Sequence, residues 1–259
     1  MLKEIFNRLS LLFKPGIDIS YSRINAYQSC PYKYKIIYID GRKVQPNQFI
    51  SLGISIHRTL EKFHSKRSPG FEDLIDAYNS SWANEGFSSP QQAYEFFEKG
   101  RRMLEAYYKE NLDLKAEVLF VEKDFGFNLG KNRMRGLIDR IDRHPDGAYE
   151  VIDYKTHNEV WKQEKADSDL QMSLYAFACE RALGFKPNIL TYYFLAHGKK
   201  VTTTRSNEQI KSAVKTALSA AEKIVRGIFT PDKTFCPKCD FKKTCPHSSH
   251  PLPEGRGKR

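Results

Sequence analysis

Along the chain, the spacing of apolar residues is first helical, then strand-like, then mixed. From residue 20 to 111 it is helical. Two short pieces over 20–39 are broken at Cys30-Pro31. An amphipathic stretch over 52–66 carries His57, and two further helices follow over 71–86 and 90–111. Ser89, Pro90 and Gln92 offer the last helix an N-cap, a first helical residue and a capping-box partner. From residue 116 the texture turns to strand, with VLFVEKDFGF in 116–128, then 132–143 and 148–156 around a turn at Pro145-Asp146-Gly147. The order predicts an antiparallel meander with Asp139 on its second strand and Asp153 on its third. Helical period returns over 168–184, and strands are predicted at 188–196 and 200–205. Ser206 and Gln209 form a capping box for a helix to about residue 227.

Strand alternation places Asp153 and Lys155, in YEVIDYKT, on one face. A carboxylate beside an ammonium suits metal-assisted hydrolysis: the carboxylate binds a hard cation and the lysine orients or deprotonates a water. The alternative is an exposed ion pair on an edge strand. Asp139, in RGLIDRID among Leu137, Ile138 and Ile141, is costly to bury unpaired. It is either a metal ligand or the partner of Arg135, Arg140 or Arg143. Glu150 falls on the face opposite Asp153 and is the weaker carboxylate. His57, in LGISIHRTLEKF, is a third ligand or a structural helical histidine, and Glu61 reads as a surface carboxylate. Gln171 and Tyr175 lie four apart on one helix face, where they line the interior or meet phosphate and base beside the metal.

Composition adds a partner. The chain has 259 residues and is 40% hydrophobic, enough for one elaborated domain or a domain plus a cap. Lys and Arg number 42 against 31 Asp and Glu, a net charge of +11, which favours a polyanion. Nucleic acid is the first expectation and an anionic membrane surface the rival. No segment is long enough to span a bilayer, and no stable membrane association is expected. The opening MLKEIFNRLSLLFKPG has apolar residues at helical spacing, but Lys3, Glu4, Asn7 and Arg8 interrupt any signal-peptide core, so a docking helix and a cytoplasmic location are expected. Three of five cysteines stand in FCPKCDFKKTC, at the spacing of a metal or iron–sulfur site. Cys179, in an apolar helix, reads as a small buried residue.

The ordered set Cys30-Pro31, Gly53 to His57, GLIDRID, VIDYKT, Gln171 to Tyr175 and Cys236, Cys239, Cys245 resembles the RecB-like branch of the PD-(D/E)XK nucleases, and more narrowly its iron–sulfur subgroup, over residues 18 to 247. Ile138-Asp139 stands where the family pattern has proline-aspartate. The resemblance implies an α/β (α+β) fold: a restriction-endonuclease-like core with a central mixed sheet flanked by helices, a helical insertion over about 66–112, and a cysteine-bound cluster joining the two ends. The implied layout is an amphipathic extension over 1–17, a single nuclease domain over 18–247 with its cysteine region at 230–247, and a disordered basic tail over 248–259. His57, Asp139, Asp153 and the Tyr154 carbonyl would hold magnesium or manganese, and Lys155 would be the catalytic lysine. Gln171 and Tyr175 would contact DNA, with Arg23, Lys33, Tyr27 and Tyr34 available to phosphates and bases. Cys30, Cys236, Cys239 and Cys245 would bind a four-iron, four-sulfur cluster; a zinc site from Cys236, Cys239, Cys245 and His247 is the competing reading. The implied activity is divalent-metal-dependent DNA hydrolysis, exonucleolytic and on single strands, in repair, recombination or CRISPR adaptation. A helicase or other repair or adaptation protein would be the partner. The rival function is a non-catalytic nucleic-acid-binding module with a structural zinc.

Overall fold

The structure is a computed structural model that describes residues 15–248. Nearly all of the amphipathic opening and of the basic tail lies outside these residues. The described chain forms two compact units, one of residues up to 45, 128–135 and 214 onward, the other of 46–127 and 136–213.

The larger unit, 46–213 apart from 128–135, holds the sheet. Strand β2 (Glu117–Leu129) pairs β3 (Asn132–Arg143), and the turn between them needs Gly130, whose φ of +62° suits glycine. Strand β3 runs antiparallel to β4 (Tyr149–Lys155), with Arg140 opposite Ile152 and Asp142 opposite Glu150. Strand β4 runs parallel to β5 (Ile189–Phe194), and β5 antiparallel to β6 (Lys199–Thr203). The sheet is therefore mixed, and the parallel step requires the crossover that follows β4.

Three helices cover one face. They are α3 (Gln48–His64), α4 (Phe71–Ser81) and α5 (Pro90–Glu110). Leu52, Ile56, Leu60 and Phe63 of α3, Leu74 and Tyr78 of α4, and Met103, Leu104 and Tyr107 of α5 close on Ile152, Tyr154, Tyr193 and Leu195. Each such side chain contributes about 1.5–3 kcal/mol by leaving water. Helix α3 begins four residues earlier than its apolar period predicts, because Asn47 Oδ1 accepts from the Phe49 and Ile50 amides. Helix α4 stops at Ser81 rather than 86. Trp82 turns extended, and the next polar groups go to α3: Ala83 N donates to Ser55 Oγ, and Ser51 Oγ donates to Glu85 O. Ser89 caps α5 as expected, but Gln92 Oε1 accepts from Ser88 N, one residue before the box position.

The crossover helices are α6 (Gln163–Ser168) and α7 (Leu170–Ala178), the latter continued by a π turn over Cys179–Leu183. The single helix expected over 168–184 breaks at Asp169, which caps α7 through Gln171 N and receives the Tyr192 hydroxyl. Helix α8 (Asn207–Val225) opens on the reciprocal Ser206–Gln209 box.

The smaller unit gathers chain segments far apart in sequence. Strand β1 (Asp18–Ile19) pairs in parallel with Arg133 and Met134. Helices α1 (Tyr21–Ser29) and α2 (Pro31–Tyr34, with a π turn to Ile39) are separated at Cys30, which is extended. Tyr34 stacks parallel to Phe229 at 6.2 Å, and Tyr27 donates its hydroxyl to the Ile228 carbonyl at 2.7 Å. Both tyrosines are buried. The expectation that they stack bases is corrected: the segment at 228–229 covers them. No described helix is long and apolar enough to cross a membrane.

Candidate active site

Asp139 lies one residue beyond the Arg140–Ile152 pair, so the antiparallel register of β3 and β4 sets it against Asp153. Its Oδ2 accepts from Tyr154 N at 2.8 Å, and its Oδ1 is 3.4 Å from His57 Nδ1. None of the three neighbouring arginines takes it. Arg135 pairs with Asp18, Arg143 with Glu117, and Arg140 donates through both Nε and Nη2 to Asp142. The ion-pair alternative for Asp139 is thereby removed.

Glu122 is the residue that sequence reasoning missed. Its Oε1 is 3.8 Å from His57 Nδ1, and one ligand atom each from His57, Glu122 and Asp139 lie within 4.8 Å of one another. Its backbone is at φ +44°, a left-handed conformation that costs a non-glycine residue of order 1–3 kcal/mol. Such strain inside a strand marks a position held for its side chain. A signal was present: four apolar residues, Val118–Val121, precede Glu122, and afterwards only odd positions are apolar, at Phe125, Phe127 and Leu129. That change of phase is where a strand carries an irregularity.

Asp153 and Lys155 share a face, as alternation requires. Lys155 Nζ is 2.5 Å from Asp153 Oδ2 and donates to Gln171 Oε1 at 3.0 Å. Gln171 Nε2 in turn donates to Asp153 Oδ1 and to the Tyr175 hydroxyl at 2.9 Å. Helix α7 thus presents Gln171 as a bridge across the acidic and basic members of the pair. Asp153 Oδ2 is buried and touches Lys155 without a hydrogen bond aligned on it. Glu150 points elsewhere, between Thr191 Oγ1 and His144 Nε2. Arg23 lies over the Tyr38 ring at 4.5 Å, in the smaller unit.

The electrostatics follow from burial among like charges. Burial, then the Asp139 charge, push the Asp153 carboxyl up to about 6 against the lowering effect of Lys155. Burial alone would lower His57, but Asp139, Glu122 and Asp153 together outweigh it and raise the imidazole to about 10. Carboxylates and an imidazole crowded this closely fit a divalent cation, which would relieve the repulsion between Asp139 and Asp153.

In the smaller unit, Cys30, Cys236, Cys239 and Cys245 line one cavity with Lys33, Asp232, Phe235 and His247. All four are free thiols, Cys30 and Cys236 buried, and Cys30 Sγ accepts from Asp232 N at 3.3 Å. Lys33, which lines the cavity, pairs with Asp240 at 2.7 Å. Among the described residues, no three ligand atoms of these cysteines and His247 come within 4.8 Å of one another. Cys179 is buried in helix, and burial pushes its thiol up to about 12, the state of an inert structural cysteine.

The sequence is similar to several known proteins. It is 24% identical to the Gene 69 protein of Mycobacterium phage D29, over 88% of this chain and 96% of that one. Two further relatives are subunits of ATP-dependent helicase/deoxyribonucleases. The one from Streptococcus equi subsp. zooepidemicus is 30% identical over 56% of this chain, and the one from Clostridium botulinum is 24% identical over 78%. The chain spans only 14% and 22% of the length of those two relatives. Its fold is similar to that of a candidate exonuclease from Eubacterium rectale, with a TM-score of 0.55 at 12% identity, covering 86% of this chain and 85% of that one. The architecture, a mixed sheet flanked by helices, is that of a restriction-endonuclease-like core. A family model matches residues 18–246, and the chain belongs to the PD-(D/E)XK nuclease superfamily.

Proposed function

We propose that the protein is a divalent-metal-dependent deoxyribonuclease acting exonucleolytically on single-stranded DNA. The observation that carries this is the junction of two groups in one unit: the His57–Glu122–Asp139 cluster and the Asp153–Lys155–Gln171 chain. His57, Glu122, Asp139 and Asp153 would hold magnesium or manganese, with the Tyr154 carbonyl as a further ligand. The ion would polarise a phosphoryl oxygen and lower the pKa of a bound water. Lys155 is aimed by Asp153 and Gln171, so its ammonium is positioned to orient the attacking water and offset charge growing on the phosphate. Gln171 keeps that aim, and Tyr175 fixes the Gln171 amide.

The cysteine cavity would hold a four-iron, four-sulfur cluster. Cys30, Cys236, Cys239 and Cys245 all line it, which supplies the four thiolate ligands such a cluster takes. The likeness to ATP-dependent helicase/deoxyribonuclease subunits supports a helicase partner.

The deciding measurement is cleavage of labelled single-stranded and duplex DNA with magnesium or manganese. Asp153→Asn and Lys155→Ala should each cut about 100- to 1,000-fold more slowly, the range for removing a preorganised electrostatic group, while still binding DNA. Cleavage by Asp153→Asn at the wild-type rate would place the chemistry elsewhere.

A further inference from the structure

From the aromatic row that ends at the start of α3 we infer that Phe49 is a nucleobase-stacking platform at which an unpaired strand is held on its approach to the site; this rests on the nuclease reading above. Phe49 is 58% exposed, more than Phe71, the other exposed phenylalanine among the described residues. Exposure alone assigns no role, since Tyr94 and Leu112 are exposed as much; the neighbours of Phe49 carry the inference. Phe49 is not a loose side chain. It meets Phe96 edge-to-face at 5.5 Å, Phe96 meets Phe87 at 6.0 Å, and Phe87 stacks on Trp82 at 5.4 Å. The row runs from the helical core to the surface and ends on Phe49.

Three observations connect that end to the catalytic strand. Phe49, Gly53 and His57 follow one another at four-residue spacing along a ridge of α3, so Phe49 stands about 12 Å from His57 along the axis. A Cβ on Gly53 would lie 3.4 Å from Thr156 Oγ1, so the ridge runs against the chain just past Lys155. Lys99 of α5 lies 5.7 Å over the Phe96 ring and donates to Asn158 Oδ1 at 2.9 Å, on the same loop. An aromatic face, an ammonium over the next ring of the row and the candidate metal cluster two helical turns away match a base, its phosphate and the scissile bond. Only an unpaired base offers its face to such a ring, so the platform selects single strands.

The test is binding of a fluorescein-labelled oligothymidylate and of a duplex, by anisotropy in chelator so that neither is cut. Phe49→Ala should bind the single strand about 5- to 100-fold more weakly, the range for loss of one base–aromatic stack, and the duplex within about twofold of wild type. Phe49→Trp should keep the affinity and add tryptophan quenching on strand binding, which checks the platform in a second folded protein. Wild-type affinity of Phe49→Ala for the single strand, or an equal loss for the duplex, overturns the platform. The first of these outcomes also covers a face built for a protein partner. Cleavage by the wild-type protein with manganese is read separately: binding through Phe49 without cleavage keeps the platform and removes the nuclease proposal.

Discussion

Glu122 concentrates the residue-scale argument, since a strained backbone there aims a carboxylate at His57. Glu122→Gln keeps the shape and removes the charge. By calorimetric titration it should bind manganese at least about 10- to 100-fold more weakly, while Asp124→Asn, at an exposed position on the same strand, should bind as wild type. A second residue-scale test concerns His64, whose ring meets Tyr107 and Arg140 beside the buried Arg140–Asp142 pair. Burial first, then the Arg140 charge, lower His64 to about 3. The unfolded imidazole takes a proton near 6.5 and the folded one near 3. The stability from the neutral ring is therefore complete above about pH 6.5 and is lost as pH falls towards 3, by up to about 1.4 kcal/mol per unit. In urea melts at pH 7 and pH 5, the two midpoints of His64→Gln should lie closer together than those of the wild type. Equal gaps would show that this histidine does not set the acid limit.

The sheet positions the chemistry through close packing as well as register. Gly136 opens the segment that carries Asp139, and a Cβ there would lie 2.6 Å from the Phe125 ring. Gly136→Ala should cost about 1–3 kcal/mol in chemical denaturation, because Phe125 is itself buried and has little room to move. This scale also explains what could be read from the sequence. The shared face of Asp153 and Lys155 follows from the two-residue period of a strand, a local rule, and the Ser206 box from a four-residue pattern. Glu122 escaped because one left-handed residue shifts the period, so counting from either end of β2 misplaces it. The early stop of α4 escaped because serines of α3 take its backbone groups, a contact that no local pattern encodes. Tyr27 read as available to bases because its cover, the carbonyl of Ile228, arrives from 201 residues away.

For the whole molecule, a cluster in the cysteine cavity would cross-link the smaller unit. A cluster held by Cys30 and Cys236, 206 residues apart in the chain, would stabilise the fold by a few kcal/mol on the loop-closure model. Anaerobically purified protein should be brown and carry iron. Cys30→Ser should lose the colour and melt at lower temperature; stoichiometric zinc with no iron in the wild type would replace the cluster by a single-ion site.

The same cavity sets an order on synthesis. Its walls come from distant stretches of the polypeptide, whereas the candidate site lies wholly in the unit that is complete once residue 213 has been made. A ribosome translating from the N-terminus therefore delivers the larger unit first and Cys245 later. A nascent chain stalled in α8 would carry every side chain of the candidate site but not all four thiols, so loading of the proposed cluster would wait until the last thiol had left the exit tunnel.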